Sequence, residues 1–203
     1  MTTNTAANTK QDPEQKIREV RDAFADAPEY ARAAVMKLMG EIEATARSPS
    51  KVLSAGRIGS RQGTVSELTM IVPFAPGGAR RLRALLRAQN GHFQAADKVG
   101  TLHDMRFVFL DNDTKFLFAT AYDGDYDKYI DDFVTMIPAF MDAAFSAFEG
   151  WPGITSGKAK DWIAEHMVEA EGWYVANPDL TVDKTRRLER VGKALDQFLD
   201  KVA

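Results

Sequence analysis

The chain has no cysteine, which excludes disulfides, thiolate metal centres and cysteine nucleophiles. Histidine is nearly as scarce: three residues at no recognised ligand spacing, which argues against a zinc site. No apolar run reaches the roughly 18 residues of a membrane span, and the opening MTTNTAANTKQDPEQK lacks the apolar stretch of a signal peptide. The expected location is the cytoplasm, with no membrane span. Neither sign of charge dominates, because 26 Lys and Arg stand against 29 Asp and Glu. With a pI near 5.7, no global field gathers polyanions, and nucleic acid is not an expected partner. Also missing are GxSxG, a GxGxxG following a strand, GxxxxGK[ST] and HExxH, so serine-hydrolase, dinucleotide-binding, phosphate-loop and zinc-protease chemistry have no motif behind them.

What is present is an ordinary globular composition, 45% apolar and 27% charged over 203 residues, enough for one sizeable core. Residues 1–12 are rich in Thr, Asn and Ala and read as a mobile tail. Over 13–47, Ile17, Val20 and Phe24, then Tyr30, Ala34, Val35, Leu38, Met39 and Ile42, recur at helical spacing around Pro28. This is a helical arm of two helices or one bent helix. Residues 48–64 are rich in turn formers and read as a linker. The main domain is then expected over 65–203.

Alternation at Leu68, Met70, Val72 and Phe74 predicts a strand over 66–74. After APGG, Leu82, Leu85 and Leu86 beside four arginines (80, 81, 83, 87) predict a half-exposed helix over 79–89, ending before Asn90-Gly91. The arginines could meet an anion, but a solvated face is the simpler account. Strands over 102–110 and 115–122 are joined by Asp111-Asn112-Asp113-Thr114 as a tight hairpin. A broad apolar helix follows over 126–148, bent at Pro138. Next come a helix over 157–171 and a short strand over 172–176. In the last helix Leu188, Val191, Leu195, Phe198 and Val202 are three and four residues apart. With only two heptads, that seam is expected to be ordinary core packing more than a helix–helix contact between molecules.

The resulting order predicts an α+β fold, a ferredoxin-like βαββαβ sheet with helices on one face plus N-terminal and C-terminal helices. The stretches VPFAPGGARRLRALL and GTLHDMRFVFLDNDTKFLFATAYDGDYDKYIDDF resemble the dimeric α+β barrel superfamily, home of antibiotic-biosynthesis monooxygenases, chlorite dismutases and dye-decolorising peroxidases. The resemblance covers the middle half of the chain and is one of element order. It implies a homodimer holding a hydrophobic small molecule or haem against its sheet, with oxygenase or peroxidase-like activity. No catalytic motif of those families is matched here. A noncatalytic assembly protein, using the same aromatic face and helices as subunit contacts, is the competing expectation.

A turn at Asn112-Asp113 pairs Phe109 with Phe116, Phe107 with Phe118, Met105 with Thr120, and His103 with Tyr122 on one face. The opposite face carries Asp104, Arg106 and Val108 against Leu117, Ala119 and Ala121, whose alanines would admit helices. The first face is the candidate site: Phe107, Phe109, Phe116, Phe118 and Thr120 as walls, His103 and Tyr122 as the chemical groups. An aromatic core or dimer interface with a satisfied histidine is the alternative. His166, beside Trp162, Ile163 and Met167, is a candidate haem ligand or a packed histidine. Arg106 is expected to meet an acid, Asp104 among them. The acids of DGDYD mimic the start of a calcium loop but lack its glycine and glutamate, so they read as helix-capping acids. Trp151 and Trp173-Tyr174 sit among glycines and prolines, where they could lid a pocket or anchor loops.

Overall fold

The computed structural model describes residues 12–202, so the expected tail lies, apart from Asp12, outside the described residues. The chain divides into two compact units, Met1–Ser50 and Lys51–Ala203. In the first, α1 (Pro13–Ala23) begins where the Asp12 carboxylate accepts the Glu14 N–H (3.3 Å), with Pro13 at the first helical position. Helix α2 (Glu29–Arg47) follows Pro28 and runs back along α1, since Arg47 meets Glu14 (3.0 Å) and Arg21 meets Glu43 (2.7 Å). Ile17 is buried and Val35, Met39 and Ile42 are half-buried, so this hairpin has a thin core.

The second unit is α+β, built on one antiparallel sheet in the order β1-β2-β3-β5-β4. Strands β1 (Leu53–Ser54) and β2 (Ser60–Gln62) form in the segment expected as linker. Strand β3 (Val65–Pro73) leads through α3 (Gly78–Gln89) and α4 (Gln94–Val99) to the hairpin β4 (Leu102–Leu110) and β5 (Lys115–Asp123). Asp111, Asn112 and Asp113 all take positive φ in its turn, a conformation that Asn and Asp tolerate best among non-glycine residues. Arg83 of α3 clasps Asp113 with two 2.7 Å bonds and lies 4.3 Å over the Phe109 ring. Arg81 bonds the Pro76 and Ser146 carbonyls. Two of the four arginines are therefore structural ties.

The long helix expected over 126–148 is two helices, α5 (Tyr126–Met136) and α6 (Pro138–Phe145). Pro138 supplies no N–H and pushes Ile137 out of the helical region, to φ −141°. Helix α7 (Ala159–Glu165) follows. Residues 172–176, expected as the closing strand, form none. Their place beside β3 is taken from both ends. Strand β2 pairs with Val65 and Ser66, while His166–Val168 make a short bridge farther along, Ile71 N–H to the His166 carbonyl (3.1 Å) and Val168 N–H to that of Thr69 (2.9 Å). With both ends of that edge hydrogen-bonded, β3 has no free run of backbone there for a further strand.

Ser66, Leu68, Met70 and Val72 of β3 share a face with Phe116, Phe118, Thr120 and Tyr122 of β5, all buried. Leu82 of α3, Tyr129, Ile130 and Phe133 of α5, Met141 and Phe145 of α6, and Trp162 and Ile163 of α7 complete this core. The expected assignment of faces is thus reversed, with helices covering the rings and not the alanines. Large aromatics bury most area against helices, and the alanine face has little to offer them. The last helix, α8 (Val182–Val202), overturns another expectation: after Val182 every described residue is exposed, so its seam is not core.

Candidate functional site

The hairpin register matches the expected pairs at Phe109–Phe116, Phe107–Phe118 and Met105–Thr120, then breaks. Leu102, not His103, lies opposite Tyr122, and Asp104 lies opposite Ala121, leaving His103 as the extra residue of a bulge. A bulge re-aims the side chain it carries. His103 therefore leaves the aromatic face, and its Nε2 sits 2.8 Å from Asp123 Oδ1. The second carboxylate oxygen, Oδ2, accepts the Val182 N–H (2.8 Å) at the start of α8. One acid at the end of β5 thus orients an imidazole and satisfies an otherwise orphaned helix donor.

This pair stands at a cleft of about 320 Å³ on the alanine side of the sheet. Val65 and Ala121 line it from the strands, His103 and Asp104 from the bulge, and Trp173–Asn177 with Leu180 from the loop before α8. That loop is strapped at both ends. The Trp173 carbonyl accepts from Gln62 Nε2 (2.8 Å), and the Pro178 carbonyl accepts from the Thr64 N–H (2.7 Å) and hydroxyl (3.0 Å). Tyr174 is left 84% exposed. Because a carboxylate only accepts, Nε2 is the donor to Asp123, and Nδ1 has no hydrogen bond among the described residues.

Beside the cleft, Glu67 is opposite Ala121 in the sheet and 3% exposed. Its Oε2 accepts from the Thr69 hydroxyl (3.1 Å), while Oε1 is buried without a partner. Burial raises its carboxyl above the ordinary range, only partly offset by the Thr69 hydroxyl and by the nearby backbone of Ala170 and Ser60.

The aromatic face offers no comparable space. Phe116 packs on Phe148 (4.8 Å between ring centres), Phe107 on Phe118 (5.4 Å), Phe109 edge-on to Phe116 (5.8 Å), and Tyr122 lies flat on Tyr129 (3.9 Å). Thr120 bonds the Tyr129 hydroxyl (3.1 Å) and the Asp104 carbonyl (2.8 Å). The gap among Phe107, Phe118, Phe133 and Phe145 is about 20 Å³, room for one water at most. Burial also drives the Tyr122 phenol upward. These residues leave no room for a haem.

His166 is likewise committed: Nδ1 is 2.7 Å from the Trp162 carbonyl, its ring is 4.2 Å from that indole, and its own carbonyl joins β3. Arg106 is exposed and 3.4 Å from Asp104, so no buried charge needs explaining. Asp125 binds Arg61 (2.8 Å) and Asp127 binds Arg57 (3.1 Å). No cluster of three metal-ligating side chains exists among the described residues. Trp151 donates to Asp142 (2.9 Å) and anchors its loop, whereas Trp173 and Tyr174 line the cleft. The partnership of Asp123 with His103 escaped the sequence, where Asp123 reads as a capping acid for α5. It does cap, but for α8, 59 residues away.

Comparison of the chain with protein-family models, with curated proteins and with solved structures gives no match. The α+β sheet and the cleft therefore carry the functional argument.

Proposed function

We propose that this protein binds a small molecule in the cleft above Val65 and Ala121, and that His103, steadied by Asp123, accepts a proton from it. The observation behind this is the bulge, which turns the one cleft-lining histidine onto a carboxylate at the mouth of a ligand-sized recess. Trp173, Leu180 and the strand side chains suit an apolar or aromatic body, and Asn177 and Asp104 suit polar substituents. A weakly acidic aromatic compound such as a phenol combines both. The order β3-α3-β4-β5-α5 is compatible with a ferredoxin-like sheet, and the resemblance to dimeric α+β barrel proteins supports small-molecule chemistry, here on the face away from the rings.

The test is a panel of phenols and aromatic acids followed by NMR of the indole and imidazole signals. A binder should move the Trp173 and His103 resonances, and His103→Ala should weaken proton uptake on binding. Binding that perturbs only the Phe107–Phe118 side, or that is unchanged in His103→Ala and Trp173→Ala, would discard this assignment. Haemin added to the protein should give no Soret band of a ligated iron.

A further inference from the structure

Helix α8 is 21 residues long, about 31 Å at 1.5 Å per residue, yet every described residue after Val182 is exposed. Leu188, Val191, Leu195, Phe198, Leu199 and Val202 are each 50–64% exposed. Its ties to the rest of its unit are concentrated in the first turns: Asp123 on the Val182 N–H, Lys184 Nζ on the Asp179 carbonyl (3.1 Å) and Arg186 on Asp97 (3.5 Å). Helices in proteins draw most of their stability from packing an apolar face, and α8 packs none of its own beyond Val182. Something must cover the stripe.

We infer that α8 pairs with α8 of a second copy as a parallel two-stranded coiled coil. The 3-4-3-4 spacing from Leu188 to Val202 is the pitch that packs against a like helix. A large apolar residue offers on the order of 200 Å² when fully exposed, so six of them at this exposure present roughly 600 Å² per copy. A pair then buries about 1,200 Å², the lower bound of stable, specific interfaces. The flanking positions choose the direction. In a parallel pair Arg187 faces Gly192 of the second copy and Ala194 faces Leu199, so no like charges meet and the otherwise unexplained Leu199 is covered. An antiparallel pair that keeps Leu188 in the seam sets Arg187 beside Lys201 and places Lys184 opposite Val202. Lys184 is instead held back on its own loop.

Sedimentation of the full chain should show a dimer at micromolar concentration. Leu195→Asp with Phe198→Asp should give a monomer whose tryptophan and tyrosine near-ultraviolet circular dichroism is unchanged, since neither residue belongs to the core. As the chain has no cysteine, Leu188→Cys can be oxidised alone: a parallel pair yields a disulfide-linked dimer, and Lys193→Cys on the outer side yields none. A monomeric wild type, a dimer that survives the double substitution, or a Leu188→Cys chain that cross-links only when mixed with Phe198→Cys would each overturn the inference. None of these readouts depends on the cleft or its ligand.

Discussion

His103 and Asp123 lie on neighbouring strands at the open end of one hairpin, twenty residues apart, and meet at 2.8 Å because β4 carries an extra residue where it starts. Asp123 also holds the first N–H of α8, so its two oxygens can be tested separately. Asp123→Ala should cost about 1 kcal/mol, the usual value of a helix cap, and speed amide exchange in the first turn of α8. Asp123→Asn should keep that cap through its amide oxygen but present an NH₂ group to His103. The imidazole proton should then move to Nδ1, visible in ¹⁵N shifts, with proton uptake by the cleft lost while stability is retained.

Glu67 makes a prediction in pH. Its folded-state carboxyl is raised by burial, so the folded chain holds this proton more tightly than the unfolded chain does. The associated stability is complete below the unfolded value of about 4.3 and is lost as pH rises through the folded value. Glu67→Gln should therefore raise the melting temperature by a few degrees at neutral pH, in keeping with about 1–3 kcal/mol for a buried unsatisfied polar group. That gain should vanish in melts below about pH 4. An equal gain at all pH values would contradict the account.

Gly78 opens α3 with its Cα against the Ala147 carbonyl, where an added Cβ collides with backbone. Gly78→Ala should destabilise by about 1–3 kcal/mol through overpacking, despite the gain in helix propensity. Urea denaturation of the variant measures this directly.

Phe118 of β5 is 6% exposed and packs against Phe107 of β4 and edge-on to Phe145 of α6. Phe118→Ala should cost about 3–5 kcal/mol without changing ligand binding at the cleft. Trp173→Ala should do the reverse, because the strap is held by the Trp173 carbonyl and not by its ring. Paired thermal melts and titrations distinguish the two.

Legibility from sequence followed locality. The Asp-Asn-Asp turn and the alternation on either side are enough to set three facing pairs of the hairpin, because register propagates from a tight turn. It stops propagating at the bulge, which has no sequence signature here, and the histidine it carries moves to the other face. Pro138 announced a break in the long helix for a reason internal to proline. The strand expected at 172–176 failed for a reason outside itself, since β2 and residues 166–168 already occupy the edge of β3.

The amino-acid order by itself determined the α+β composition of the chain, its hairpin, and which side chains along each strand travel together, since periodicity and turn chemistry act over a few bonds. Only the tertiary structure decided which face the helices cover, that the rings form a filled core, that His103 finds Asp123, and that the seam of α8 is left in solvent. Those outcomes depend on competition among distant segments for the same apolar surface and the same strand edge, and such competition is settled by packing rather than by pattern.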